Sequence, residues 1–189
     1  MSGNAPDDAV MDRRVRRTRR ALIDAYNALI LSKQVETIRV TDIVAAADVG
    51  RSTFYEHYSG RDAIHLDALS APLGIVADAL TGQGNADDLT HILTHFWDNR
   101  AKARESFAGP QRAPIARLLA DLIEARLTAT AYSVPARILA IQLAESQLGV
   151  IRAWITGDLR SSAAGLANAI MASSVGMLTT LGDRGCRIE

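Results

Sequence analysis

Few residues in this chain have the type and spacing to make or break bonds. Asp87, His91, His95 and Asp98 stand at i, i+4, i+8 and i+11, near one face of a helix. A His pair at i, i+4 can hold a transition metal and carboxylates can add ligands. Successive helical turns are about 5.4 Å apart, however, so one ion cannot reach all four groups. No Ser-His-Asp or Cys-His arrangement and no phosphate-cradling glycine loop is present. The expectation is therefore no enzyme, no cofactor and no metal site. What remains is recognition chemistry. Arg51 can pair both acceptors of a guanine, Ser52 and Thr53 can bond either kind of partner or touch a thymine methyl, and Glu56 can accept from cytosine. Upstream lies a run of cations: Arg13, Arg14, Arg16, Arg17, Arg19 and Arg20.

These residues need elements that hold them. From Asp12 onward a helix is expected, with Leu22, Ala25, Tyr26, Leu29 and Ile30 forming a single apolar stripe. The segment 32–39 breaks that pattern. Thr41 reads as an N-cap, and residues 42–47 as a very short helix. Asp48, Val49 and Gly50 read as a turn, with Gly50 tolerant of unusual backbone angles. Residues 51–58 form a second short helix, ended by Ser59 and Gly60. Two short helices across a three-residue turn make a helix-turn-helix. The second would enter a major groove by its N-terminal end. Phe54 is expected to point inward, with Ile43, Val44, Ala47 and Val49 completing a small core.

The run 37–62, with Thr41, Ile43, Val44 and Ala47 before the turn and Phe54-Tyr55-Glu56-His57-Tyr58 after it, resembles the helix-turn-helix of the TetR (tetracycline-repressor) family. Thr18-Arg19-Arg20 leading into Leu22 is similar to the family's first helix. The resemblance covers residues 13–66, about a third of the chain. One departure is visible: the turn usually opens with glycine and here opens with Asp48. Asp tolerates left-handed angles better than most residues, although its carboxylate near DNA would weakly oppose binding. The resemblance implies that Thr41, Tyr55, His57 and Arg61 lie against phosphates, setting register without reading sequence. Arg16, Arg17, Arg19 and Arg20 fit an arm along the DNA backbone, or a solvated helix face; DNA contact is the favoured reading. One such motif touches few base pairs, so a dimer on a pseudo-palindromic operator is expected.

Beyond residue 60 the chain reads as helical, at about 61–80, 86–106, 112–131, 135–157 and 162–181, broken by Gly82-Gln83-Gly84, Gly109-Pro110, Val134-Pro135 and Gly157-Asp158. Helix 135–157 is apolar nearly all round, so it must be buried on several faces. Helix 162–181 is rich in Ala, Gly and Ser, which permit close approach. The resemblance implies that these two helices pair with those of a second copy. It also implies a small-molecule effector pocket in the C-terminal domain, whose binding releases the protein from DNA. Candidate lining residues are His91, His95, Phe96, Phe107, Tyr132 and Gln142, with Trp97 and Gln147 further options.

Composition agrees. The chain has 189 residues, 48% of them hydrophobic and 22% charged, enough for a real core. The formal net charge is zero, yet residues 11–61 carry ten Lys/Arg against six Asp/Glu. That excludes indiscriminate polyanion binding while allowing a local basic footprint. The single cysteine, Cys186, permits no internal disulfide, which fits a reducing cytoplasm; a redox-sensing role has no support in its surroundings. The polar, acidic first ten residues do not read as a signal peptide. Residues 161–182 are uncharged, but seven Ser, Thr and Asn side chains weigh against a membrane span. The expected architecture is all-α: a structureless stretch at 1–11, a three-helix helix-turn-helix DNA-binding domain at 12–60, and a helical ligand-binding and dimerisation domain at 61–189.

Overall fold

The computed structural model describes the backbone of residues 5–32, 35–127 and 132–181. Among these, nine α-helices and no β-strand occur: α1 (Ala5–Ser32), α2 (Val40–Ala47), α3 (Arg51–His57), α4 (Arg61–Leu80), α5 (Ala86–Asp98), α6 (Arg100–Ala108), α7 (Arg112–Glu124), α8 (Ala136–Thr156) and α9 (Ala163–Leu181). The chain divides into two compact units, residues 1–68 and 69–189. The boundary expected at 60–61 thus moves into α4, because Ile64 belongs to the core of the N-terminal unit. The start expected at Asp12 moves to Ala5. Pro6 is compatible with that, since a first-turn residue needs no N–H partner. Cys186 lies outside the described residues.

The N-terminal unit is built on one apolar cluster. Leu22 and Tyr26 of α1, Ile38, Ile43 and Val44 around α2, Phe54 and Tyr58 around α3, and Ile64 of α4 are all buried in it. Ala47, Val49, Leu29 and Ile30 pack on its edge. The expected inward-facing set is therefore the observed one. Two local details differ. Arg39, not Thr41, is the N-cap of α2: the Asp42 carboxylate accepts the Arg39 backbone N–H at 3.0 Å, and Thr41 lies inside the helix, exposed. The unusual backbone falls on Asp48 (φ 52°, ψ 48°) rather than Gly50 (φ −73°, ψ 154°). Asp48 closes α2 in the left-handed conformation, and Gly50 is an ordinary extended N-cap whose carbonyl accepts Phe54 N–H at 3.1 Å.

In the C-terminal unit α7 lies along α8 and α5 along α9. Ile115, Leu119 and Ile123 of α7 are fully buried, as are Leu139, Leu143 and Ala144 of α8. The helix expected at 86–106 is two helices. Asn99 interrupts it: its side-chain amide donates to the His95 carbonyl at 3.0 Å, taking the place of a backbone rung. The helix expected to reach 131 stops at Glu124, with 128–131 outside the described residues. Gly157 ends α8 at φ +91°, a conformation that suits glycine. Beyond it the Trp154 indole N–H donates to the Ser161 carbonyl at 2.9 Å. Gln147 is buried and donates to Ser173 Oγ at 3.0 Å, tying α8 to α9.

By length and composition α4, α8 and α9 are apolar enough to cross a membrane. Their apolar character has a different use in α4 and α8, about half of whose residues are buried inside the chain (44% and 50%). For α9 that share is only 22%, so most of an apolar helix faces outward in the single chain.

Left-handed backbone costs an L-residue about 1–2 kcal/mol. Glycine would avoid that and give back part of it as chain entropy. Asp48→Gly is expected to stabilise the N-terminal unit by about 0.5–1 kcal/mol, read as a higher denaturation midpoint at unchanged slope. A lower midpoint would mean that the Asp48 side chain stabilises the turn.

Candidate nucleic-acid interface

The short helix α3 presents two opposite surfaces. Phe54 has no exposed area at all, while Arg51, Ser52, Tyr55 and Glu56 are exposed. Those four fall at i, i+1, i+4 and i+5, which is one face of a helix. Thr53 and His57 are half-buried on its flanks. Of the residues expected to read bases, Arg51, Ser52 and Glu56 share the exposed face and Thr53 lies beside it. Tyr55, expected against a phosphate, stands within the exposed face: a large aromatic side chain 52% exposed, braced edge-on against Phe54 at 5.4 Å between centroids.

The expected phosphate contacts divide into two groups. Thr41 is exposed at the start of α2, and Arg13, Arg14, Arg16, Arg17 and Arg20 are exposed along α1. Arg19 is different. Its Nε and Nη2 donate to the two oxygens of Asp67 in α4, at 2.7 and 2.5 Å. The Tyr58 hydroxyl donates to the same carboxylate at 2.5 Å. Arg19 is thus a fork closing on a carboxylate, and its expected place among the phosphate-tracking arginines is corrected to a clamp between α1 and α4. Arg61 is also engaged within the unit: its Nη1 donates to the Glu36 carbonyl at 2.9 Å, and Nε and Nη2 donate to Asp62. Beside it a shallow groove of about 590 Å³ opens between Arg39, Val40, Ser59 and Arg61.

Asp67 and Tyr58 were not singled out by sequence. Arg19 and Asp67 are 48 residues apart, and no local spacing announces a pair at that distance. The electrostatics follow from the geometry. Burial, then the hydrogen bond to Asp67, pushes the Tyr58 phenol above its ordinary value near 10. Hydrogen bonding and charge from Asp67 hold the Arg19 guanidinium more firmly protonated. Deeper in the core, buried His65 shares a hydrogen bond between Nδ1 and the Tyr26 hydroxyl at 3.0 Å.

In the C-terminal unit the six residues expected to line a pocket are not brought to one surface. Phe96 and Phe107 are buried and pack against each other edge-on at 5.1 Å. His91, His95 and Gln142 are exposed, and Tyr132 is half-buried. The physical reason is periodicity: Phe96 lies on the apolar face of α5 with Leu89 and Leu93, and His91 and His95 lie on its polar face. Gln142 sits on the outer side of α8 beside exposed Ile138 and Ile141. Gln147, a further option, is buried against the serines of α9, and Trp97 stacks on Trp154 at 4.7 Å with Arg100 over its ring. Asp87, His91, His95 and Asp98 are all exposed, and no metal-sized group of three His, Cys, Asp or Glu occurs among the described residues.

No family model matches the chain. One curated protein does: an uncharacterized HTH-type transcriptional regulator, YxbF, of Bacillus subtilis (strain 168), is 31% identical over 80 residues. That match takes in 42% of this chain and spans only 21% of the relative's length. The whole fold has solved counterparts. The TetR-family repressor AlkX from Dietzia sp. strain DQ12-45-1b superposes with a TM-score of 0.57 at 16% identity, over 86% of this chain and 98% of that one. A Thermus thermophilus TetR-family repressor, FadR, in complex with lauroyl-CoA, gives 0.55 at 19% identity, over 90% and 98%. A TetR transcriptional regulator from Streptococcus agalactiae 2603V gives 0.51 at 20% identity, over 89% and 99%. The chain has the all-α fold of these regulators.

A raised Tyr58 value means that the folded unit favours the neutral phenol. That stabilisation is complete below pH about 10 and is lost as pH rises through the folded value. Tyr58→Phe is expected to cost about 1–2 kcal/mol at pH 7, and to cost progressively less above pH about 10, where the wild-type phenol begins to ionise. Urea unfolding of both proteins at several pH values tests this. An equal difference at all pH values would sever the phenol from the Asp67 cluster.

Proposed function

We propose that this chain, whose fold is that of TetR-family regulators, is a cytoplasmic, sequence-specific DNA-binding transcriptional repressor. It acts as a homodimer on a pseudo-palindromic operator and is released by a small-molecule effector held in the C-terminal unit. The observation that carries the reading is α3: an exposed row of Arg51, Ser52, Tyr55 and Glu56 over a completely buried Phe54. A helix shaped like that can enter a major groove and offer donors and acceptors to base edges while its back stays dry. Arg51 pairs a guanine, Ser52 and Thr53 set the neighbouring contact, and Glu56 accepts from a cytosine. Tyr55 and His57, with Thr41 and Arg61, meet the phosphates. Arg16, Arg17 and Arg20 on α1 supply the sequence-independent attraction. The likeness to solved regulators favours this role over an enzymatic one.

The dimer reading rests on α8 and α9. Ile138 and Ile141 are each 45% exposed and Val175 47%, among small residues on an outward face of α9. A second copy would cover them and hold two α3 helices about 34–36 Å apart, one helical turn of DNA. The effector rests on less: FadR, similar in fold, was solved with lauroyl-CoA. A regulator controlled by a protein partner, or acting as an activator, is the second reading. It is favoured by Phe96 filling the space beside Phe107 while His91, His95 and Gln142 face outward.

The direct test is a binding titration against the DNA flanking the chain's own gene, at two salt concentrations. Selective binding that weakens steeply with salt supports the reading, and the same assay then screens effectors. Sequence-blind binding at both salts counts against it. Arg51→Ala is expected to cost about 1–3 kcal/mol and to relax preference at one base pair per half-site. Arg17→Ala is expected to weaken all sequences alike and lower the salt slope by about one. Arg19→Ala should instead lower folding stability while leaving the salt slope nearly unchanged, because its charge is committed to Asp67.

Ile141→Asp and Val175→Asp each place a charge on the proposed dimer face. Light scattering is expected to report monomers for both, with operator affinity falling by at least about a hundredfold as one half-site is lost. A dimer that survives both substitutions would put the interface elsewhere.

A further inference from the structure

We infer that α4 carries a hinge at residues 68–72, where one continuous helix is held firmly at each end and weakly in between. Its first turns are fixed in the N-terminal unit. Ile64 and His65 are buried there, and Asp67 receives both Arg19 and Tyr58. Its last turns are fixed in the C-terminal unit. Leu73, Val76, Ala77, Ala79 and Leu80 are buried. Arg126 reaches back to them, donating Nε to the Asp78 carboxylate at 2.6 Å and Nη2 to the Gly74 carbonyl at 3.3 Å. A third bond, from Nη1 to the Leu122 carbonyl at 2.7 Å, keeps that guanidinium in place.

Between these clamps the helix changes character. From Leu66 to Pro72 no residue is fully buried. Pro72 stands inside the helix. It has no N–H to donate to the Ala68 carbonyl, and its ring crowds that same carbonyl. The division of the chain into compact units falls between Ala68 and Leu69, beside the missing rung. The lost hydrogen bond, the stretch without buried anchors and the unit boundary are separate observations at one place. A helix so arranged opens or bends there before it does so elsewhere. The inference concerns the chain's own mechanics and does not rest on the proposed function. Where that reading holds, residues 68–72 are where a change in the C-terminal unit is absorbed instead of being passed along a rigid rod.

The test is residue-resolved hydrogen exchange by NMR on the full chain, with neither DNA nor effector added. The amides of Leu69, Ser70, Ala71 and Leu73 are expected to exchange about tenfold or more faster than those of Ile64, His65 and Ala77. Pro72→Ala restores the donor, and these rates are then expected to fall to within about threefold of their neighbours. Uniform protection along α4 in the unaltered chain overturns the hinge, and so does a fast segment that persists in Pro72→Ala. If that variant does not fold, the unaltered profile decides alone: a local loss of protection at 68–73 upholds the inference and its absence refutes it.

Discussion

A helix of seven residues cannot hold itself together in water, because nucleation costs more than so few hydrogen bonds return. Everything that α3 presents therefore depends on Phe54. Its ring is buried among Ile43, Val44, Tyr58 and residues of α1, and that burial fixes the rotation of the helix. Once Phe54 points inward, 3.6-residue geometry leaves Arg51, Ser52, Tyr55 and Glu56 no choice but to point out. The chemistry of the exposed row and the apolar anchor beneath it are one decision of the sequence.

Apolar burial is non-directional, so it leaves open how the three short helices are angled about their core. Directional bonds supply that. Asp67 accepts from Arg19 and Tyr58 and so joins α1, the end of α3 and α4 through one carboxylate. The partial exposure of Arg19 keeps the ion pair from being a strong stabiliser. Its value is positional: it takes one cation out of a basic face and aligns the helix that carries the others. A sequence with no net charge can bind a polyanion only by arranging its charges, and this clamp is part of the arrangement.

The parts of this molecule legible in its sequence were those set by local rules. Glycine and proline marked the breaks near 82–84, 109–110 and 157 because their backbone constraints act within a few residues. The inward set Ile43, Val44 and Phe54 followed from periodicity. Asn99 escaped notice because an asparagine inside a helical pattern is ambiguous until its amide is seen on the His95 carbonyl. The N-cap at Arg39 escaped for a related reason: Asp42 satisfies a backbone N–H from the third helical position, and a preceding threonine looked the better cap. Arg19 was misjudged because a run of arginines carries no mark for the member whose partner lies 48 residues away. The pocket residues were the least legible. Shape in a helical unit comes from how several faces meet, and no single periodicity encodes it.

Helix α9 extends the same logic to what the single chain leaves uncovered. Its composition is that of a buried helix, yet only about a fifth of it is buried within the chain. A sequence selected only for the monomer would replace Val175 and its outward neighbours with charged residues at little cost, since exposed apolar groups give nothing and promote aggregation. The small residues on that face do not favour lipid: Ser173, Thr179 and Thr180 would need partners there. They do allow a close approach of another helix, with Gln147 already fixing the register of α8 against the inner side of α9. An apolar face of small residues, held rigid from behind and left open in front, has the character of half an interface. The matching half that requires no other gene product is the same face on a second copy.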